Sequence, residues 1–182
     1  MWKTNRRKSS TREASVYIPF DEFCNIYEHC KSVAHEREVM GLLIGDIFSD
    51  DFGSYTTIFK PITGTSVGSS VHVQFLRKGI AELVQQLEHL RHNLKACPIC
   101  GGSLIDYGCL ACPYDIRNTK IVGWYHSHPG LRAFLSSTDV TTQLEYFDQP
   151  YNVAMVIDPI HSDLRIWQNV DSEIVETSLY GF

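Results

Sequence analysis

The segment YHSHPGLRAFLSSTD, residues 125–139, carries the side chains of this chain best suited to chemistry. His126 and His128 lie two apart, which on an extended strand puts both imidazoles on one face, aimed at a common point. Pro129 and Gly130 then end the strand. Ser136 and Asp139, three apart, share one side of a helix start. Ser137 or Thr138 is the expected N-cap, setting Asp139 in the first turn, where the helix field favours a carboxylate. Two neutral imidazoles and one carboxylate make the ligand set with which a catalytic zinc keeps its fourth position open for water. Such an ion stays net positive and lowers the pKa of a bound water toward ~7. That water needs a base beside the metal that does not ligate it. Glu38, at the head of the apolar run EVMGLLIG, answers that need, whereas Glu36 lies in polar surroundings. Ser136 is then free to donate a hydrogen bond to the oxyanion of a tetrahedral intermediate.

A second cluster has a different character. Cys97, Cys100, Cys109 and Cys112 read C-x2-C-x8-C-x2-C, two knuckles that together can close a four-thiolate zinc site. Disulfide pairing is the alternative, disfavoured in a reducing compartment. A redox role is weaker, because no strand leads into either pair. Ribbons of this kind can bind nucleic acid, but only Lys95, Arg117 and Lys120 flank this one, against Asp106 and Asp115. A structural clip is the expectation. His89 and His92, three apart on the preceding predicted helix, are alternative ligands, with a solvent-facing position the expected one.

The elements that must position these groups follow from periodicity. Phe20, Phe23, Ile26, Tyr27, Cys30, Val33 and Ala34 recur at helical spacing and predict a helix over 18–34, with Cys24 and Cys30 as buried free thiols. EVMGLLIGDIF (38–48) and SYTTIFKPIT (54–63) predict strands joined across SDDFG, which has hairpin chemistry. A long amphipathic helix is predicted over 74–94, with Ile80, Leu83, Val84, Leu87, Leu90 and Leu94 on its apolar face. KIVGWYHSHP runs as a strand into the histidines, followed by a helix with Val140, Leu144 and Phe147 at helical spacing. Strands at NVAMVIDPI, LRIWQNV and EIVETSLY close the chain. This mixture predicts a three-layer α/β/α arrangement. Residues 96–119 match neither period, and a bound metal gives this 24-residue connection a reason to be ordered.

Composition narrows the function classes. The 182 residues suit one sizeable core, and 43% apolar with 20% charged residues is a globular balance. No apolar run approaches the roughly 18 residues that span a bilayer, and no secretory h-region is evident. The expectation is a cytoplasmic protein without a membrane partner. Residues 1–15 hold Lys3, Arg6, Arg7, Lys8 and Arg12 against Glu13, a net +4 that leaves −9 for the rest of a chain of net charge −5. The head reads as a disordered basic tail, and the acidic body speaks against nucleic acid.

Glu38-Val-Met-Gly-Leu-Leu-x-Gly, then Gly-Trp-Tyr-His126-Ser-His128-Pro, then Ser136-x-x-Asp139 seven residues on, together resemble the JAMM (MPN+) zinc metalloprotease family. That family includes deubiquitinases of the proteasome lid and the endosome and the deneddylase of the signalosome. The resemblance runs from about residue 15 to the C-terminus, excluding the cysteine segment. VGWYHSHPG and VIDPI are similar to the proteasome-lid type, AFLSS to the endosomal type. The resemblance implies a deaminase-like α/β MPN domain over 16–182 with a mixed, curved sheet, into which a zinc ribbon, 96–119, is inserted. It implies a catalytic zinc on His126, His128 and Asp139, with Glu38 as base and Ser136 as oxyanion partner. The implied reaction is hydrolysis of the isopeptide bond after the C-terminal Gly-Gly of ubiquitin or a ubiquitin-like modifier. Conjugates of such modifiers are the expected partners, with a proteasome-like or other subunit beside them. A second, structural zinc is expected on the four cysteines. Two other readings remain: a non-catalytic scaffold that binds ubiquitin-like proteins, and a zinc-ribbon adaptor.

Overall fold

The computed structural model describes residues 15–68, 73–75 and 77–182, so the basic head lies, but for Ser15, outside the described residues. The first element is a strand, β1 (Val16–Ile18), which periodicity did not announce because three residues are too few to show alternation. Helix α1 (Phe20–Ser32) follows, then the hairpin of β2 (Met40–Asp50) and β3 (Gly53–Ile62). The short pair β4 (Ser66–Gly68) and β5 (Val73–Phe75) precedes α2 (Arg77–Asn93), so the helix expected from residue 74 starts later. A small hairpin, β6 (Leu104–Ile105) and β7 (Gly108–Cys109), forms inside the cysteine segment. Strand β8 (Lys120–Ser127) leads to the histidines and α3 (Ser137–Tyr146) carries Asp139. The chain ends in β9 (Val153–Asp158), β10 (Asp163–Val170), β11 (Glu173–Thr177) and β12 (Leu179–Gly181).

Eight strands make one mixed sheet in the order β11-β10-β9-β8-β2-β3-β1-β12. The pairs β1–β12, β1–β3 and β8–β9 are parallel and the rest antiparallel. EIVETSLY, expected as one strand, is two: β11 and β12 lie at opposite edges although only Ser178 separates them. One residue spans about 3.8 Å between Cα atoms, so the sheet has to curl until its edges approach each other.

Alternation along β2 sets the layers. Leu43 joins Ile26 and Cys30 of α1 in the main core with Val16, Ile58 and Met155. Its neighbours Leu42 and Ile44 meet Leu83 and Leu87 of α2. Successive strand side chains point to opposite faces, so α1 and α2 cover opposite faces of the sheet. Trp124 of β8 donates its indole N–H to Gln143 of α3, and the adjacent Tyr125 lies in the α1 core, which puts α3 on the α2 side. The α/β/α layering predicted from sequence therefore holds.

Three helix faces differ from expectation. In α2, Ile80 and Val84 are 53% and 57% exposed, while Leu83 is buried with Ile44 and Ile62. Leu94 packs instead against the cysteine segment. In α1, Phe20 is exposed and Cys24 only half-buried, while Cys30 is buried; both thiols are free. In α3, Leu144 faces solvent and the polar Asp139 and Gln143 are buried in its place.

Candidate metal centre

β8 and β2 are the two middle strands, and their register builds the centre. Leu43 pairs with Gly123 and Ile44 with Ile121, which leaves Val122 as the extra residue of a bulge. The bulge turns Trp124 and His126 to the α3 side while Val122 and Tyr125 enter the α1 core. Gly41, opposite Tyr125, lets that ring lie flat on the backbone, since a Cβ there would strike it. Met40 pairs with His126, and beyond it Val39 and Ser127 exchange hydrogen bonds: Ser127 N–H to Val39 O, and Val39 N–H to Ser127 Oγ, both 2.9 Å. Glu38 thereby comes to lie across from His128. Directly opposed residues of an antiparallel pair share a face.

The three expected ligands converge. His126 Nε2 lies 3.0 Å from His128 Nε2 and 3.2 Å from Asp139 Oδ1, and His128 Nε2 lies 3.5 Å from Asp139 Oδ2. All three residues are buried. Four-coordinate zinc with bonds of about 2.0–2.1 Å separates its ligand atoms by about 3.3 Å, so the donor spacing fits that ion. Burial lowers the His126 pKa against the pull of Asp139, which favours the neutral, ligating ring. Burial alone would raise Asp139, but hydrogen bonds from His126, His128 and Ser136 hold its carboxyl well below the usual carboxylate range.

Glu38 stands next to this set without joining it. It is 3% exposed, with Oε1 4.0 Å from His128 Nε2 and, among the described residues, without a hydrogen-bond partner. Burial pushes its carboxyl up to about 7, with His128 drawing it down and Asp139 pushing it further up. A dry carboxylate oxygen is costly unless something polar reaches it.

Ser136, not Ser137 or Thr138, is the N-cap of α3. Its Oγ accepts the Asp139 N–H at 3.3 Å, and its own N–H and Oγ–H donate to Asp139 Oδ2 at 2.7 and 2.6 Å. The serine thus closes a reciprocal capping box. It ties down one carboxylate oxygen and leaves Oδ1 toward His126.

Several supporting residues escaped the sequence reading. Trp124 stacks on His126 with centroids 4.7 Å apart and planes 10° from parallel. Its N–H reaches Gln143 Oε1 at 2.8 Å, and Gln143 Nε2 reaches the Phe147 and Asn152 carbonyls and Asn169 Oδ1. This buried network fastens the helix bearing Asp139 to the strand bearing His126. Its one sequence signal is that Gln143 follows Asp139 by four, on the same helix face. Asp158, fully buried, accepts the N–H groups of Gly130, Arg132, Ile160 and His161 and the His161 ring, and so holds the turn after His128. Phe134, on that turn, packs against the His128 ring at 4.7 Å.

The cysteines also converge. Their sulfurs lie 3.4 Å (Cys97–Cys112), 3.5 Å (Cys100–Cys109) and 3.7 Å (Cys100–Cys112) apart, and all four are free thiols. A disulfide needs about 2.05 Å, whereas zinc–sulfur bonds of about 2.3 Å set tetrahedral sulfurs about 3.8 Å apart. The Ala111 N–H holds the Cys109 thiol below its ordinary pKa, while burial raises Cys97 and Cys112. Phe48, Phe59, Tyr114 and Ile116 fasten this segment to the sheet at the far end of β2 from Glu38. His89 and His92 are exposed on α2 and belong to neither cluster.

The sequence profile described as JAB1/Mov34/MPN/PAD-1 ubiquitin protease matches residues 12–149. The COP9 signalosome complex subunit 5 of Debaryomyces hansenii is 30% identical over 164 residues, which cover 89% of this chain and 28% of that protein. Ubiquitin carboxyl-terminal hydrolase RPN11 of Saccharomyces cerevisiae is 28% identical over 158 residues, covering 85% of this chain and 42% of its own. This chain therefore spans well under half the length of these curated relatives. A Desulfitobacterium hafniense protein solved in solution has the same fold at a TM-score of 0.54, with 13% identity and 92% of each chain covered. With three quarters of its length inside one profile and its JAMM motif gathered at one point, the chain belongs to the JAB1/Mov34/MPN/PAD-1 family.

Proposed function

We propose that the chain is a zinc-dependent isopeptidase of the deubiquitinase type, hydrolysing the bond after the C-terminal Gly-Gly of ubiquitin or a ubiquitin-like modifier. The reading rests on Glu38: a buried carboxylate with one oxygen unpaired, set beside the three metal donors and outside them. Held by His126, His128 and Asp139, zinc supplies a Lewis acid and a water acidified to near neutral pH. Glu38 accepts the proton of the attacking water and returns it to the departing lysine amine, a task for which it stands beside the three donors and outside them. Ser136 turns its hydroxyl from Asp139 Oδ2 to the oxyanion as that charge develops. An extended Gly-Gly tail fits such a site because a strand beside a sheet is read by main-chain hydrogen bonds. The four cysteines hold a structural zinc that orders residues 96–119.

Membership in a family that includes RPN11 and signalosome subunit 5 supports ubiquitin-type substrates and a partner subunit in a larger assembly. Among the described residues no helix is long and apolar enough to cross a membrane. The test is incubation of the purified chain with a ubiquitin-like fusion, with and without chelator. Cleavage is expected only with metal, and Glu38→Gln should keep its zinc while losing about 10²–10⁴-fold in rate. Wild-type speed in Glu38→Gln would remove Glu38 as the base. A zinc-loaded wild type inert on every ubiquitin-like fusion would leave the scaffold reading.

A further inference from the structure

The turn that follows His128 holds an arginine in a costly conformation. The Leu131 N–H returns to His128 O at 3.1 Å, and the Phe134 ring lies 4.7 Å from the His128 ring, so the turn begins and ends on a metal donor. Between these contacts Arg132 sits at φ +70°. That left-handed region crowds a residue that has a Cβ, whereas glycine adopts it freely. The conformation is fastened from outside the turn. Buried Asp158 takes the Gly130 and Arg132 N–H groups, each at 2.9 Å, and Asp163 takes the Ala133 N–H at 3.1 Å. Ala133 itself is buried with Val156 and Trp167. Strain held this firmly beside a reaction centre points to a use for the side chain that bears it.

The Arg132 side chain is exposed, and among the described residues no carboxylate pairs with it. The two acids that bind the turn, Asp158 and Asp163, are engaged by backbone N–H groups. Leu131 and Phe134, on either side in sequence, are each 44% exposed. A ligand that covers such a surface displaces water from the guanidinium and strengthens a forked bond to a carboxylate. The chain beyond residue 15 carries a net −9, so an acidic ligand gains from this cation only at close range. The contact is then one of specificity rather than of steering. Four Cα–Cα steps separate Arg132 from His128, at most about 15 Å, which sets the guanidinium within a few residues of a bond being cut.

We propose that Arg132 is a specificity residue of the metal centre: its guanidinium takes a carboxylate of the substrate close to the scissile bond. This rests on the isopeptidase reading above. The carboxylate belongs either to the tail just before the modifier's Gly-Gly or to the segment flanking the modified lysine, two sources of one chemistry.

The test uses the zinc-loaded full chain and isopeptide conjugates of one ubiquitin-like modifier with a lysine peptide. In one arm each of the three residues before Gly-Gly is set in turn to Asp, Asn or Lys; in the other arm the residues flanking the acceptor lysine are. In the arm that supplies the carboxylate, kcat/KM should favour Asp over Lys about tenfold, with the difference lying in KM. Arg132→Gly, which also relieves the strained φ, should keep its zinc and level that preference, and Arg132→Glu should invert it. Equal Asp and Lys values in both arms of the wild type, or an unchanged preference in Arg132→Gly, would overturn the proposal. Zinc lost from Arg132→Gly would assign the arginine to holding the turn and overturn it as well. Failure of the isopeptidase reading gives a different result, in which no conjugate is cleaved. Equilibrium binding of the same conjugates to the Glu38→Gln chain still reads the carboxylate preference in that case, and equal binding of the Asp and Lys forms would refute it.

Discussion

Cys97, Cys100, Cys109 and Cys112 come from 16 consecutive residues, whereas Glu38, His126, His128 and Asp139 are drawn from a span of 102. The cysteine cluster is partly open to solvent and is made by two knuckles and a two-strand hairpin. The histidine centre is buried, built on the two middle strands of the sheet and a helix start, and backed by a polar network. A local cluster needs only its own backbone turns and a metal, so its failure stays local. A centre assembled from distant segments depends on strand register, and anything that moves β2, β8 or α3 moves the chemistry. The cluster also offers four equivalent donors, a closed shell, while the centre offers three and an acid held back.

The contrast can be broken by experiment. Cys97→Ser with Cys100→Ser should lower zinc content from about two ions per chain to about one. Amide-exchange protection over 96–119 should collapse, with cleavage at the distant centre kept. Lost cleavage with the second zinc still bound would mean that the two regions are coupled. Next in size is Gln143→Leu, which strips a partner from Trp124 Nε1, the Asn152 carbonyl and Asn169 Oδ1, while the Phe147 carbonyl keeps the Asn169 side-chain N–H. Each buried polar atom left unpaired costs about 1–3 kcal/mol, so the denaturation midpoint should fall clearly and zinc affinity at the histidines with it. Leu110→Ser, on the exposed ribbon surface, should change stability by no more than about 0.5 kcal/mol in the same assay.

A further effect concerns pH. Burial alone would raise the Asp158 carboxyl, but the Gly130 N–H, the His161 ring and the Arg132 and His161 N–H groups hold it well below the usual range. A depressed carboxyl contributes stability above its unfolded value of about 3.9, and loses it as pH falls toward the folded value. Asp158→Asn should be less stable than wild type at neutral pH, and its stability should decline less between about pH 4 and pH 2. An acid limb identical to wild type in thermal melts would remove Asp158 as the charged anchor of the turn.

Much of the centre was legible because its pieces are short-range. His-x-His on a strand, Pro-Gly to stop it, and Ser-x-x-Asp at a helix start each declare themselves within a few residues. The α/β/α layering was legible for the same reason, through the apolar runs of β2 and β9 and the spacing of Ile26 and Cys30. The errors lie where burial depends on what an element meets. Ile80 and Val84 have the spacing of a core stripe, yet both are more than half exposed and Leu83 is the buried one. Gln143 drew no notice in the sequence, yet it is fully buried, bonded to Trp124 and Asn169. β1 is too short to carry a period, and the break at Ser178 depends on edges that only a curled sheet brings together.

Residue types and local periods alone determined which side chains can bind metal, which strand and helix present them, and that the four cysteines form a unit of their own. Tertiary structure decided the rest. The β2–β8 register put Glu38 across from His128, the β8 bulge turned His126 toward α3, and the cysteine segment packed Tyr114 and Ile116 with Phe48 and Phe59 at the opposite end of β2. The division has a physical cause: backbone sterics and side-chain period act over a few residues, whereas register, burial and the dryness of a carboxylate are set by partners far away in the chain.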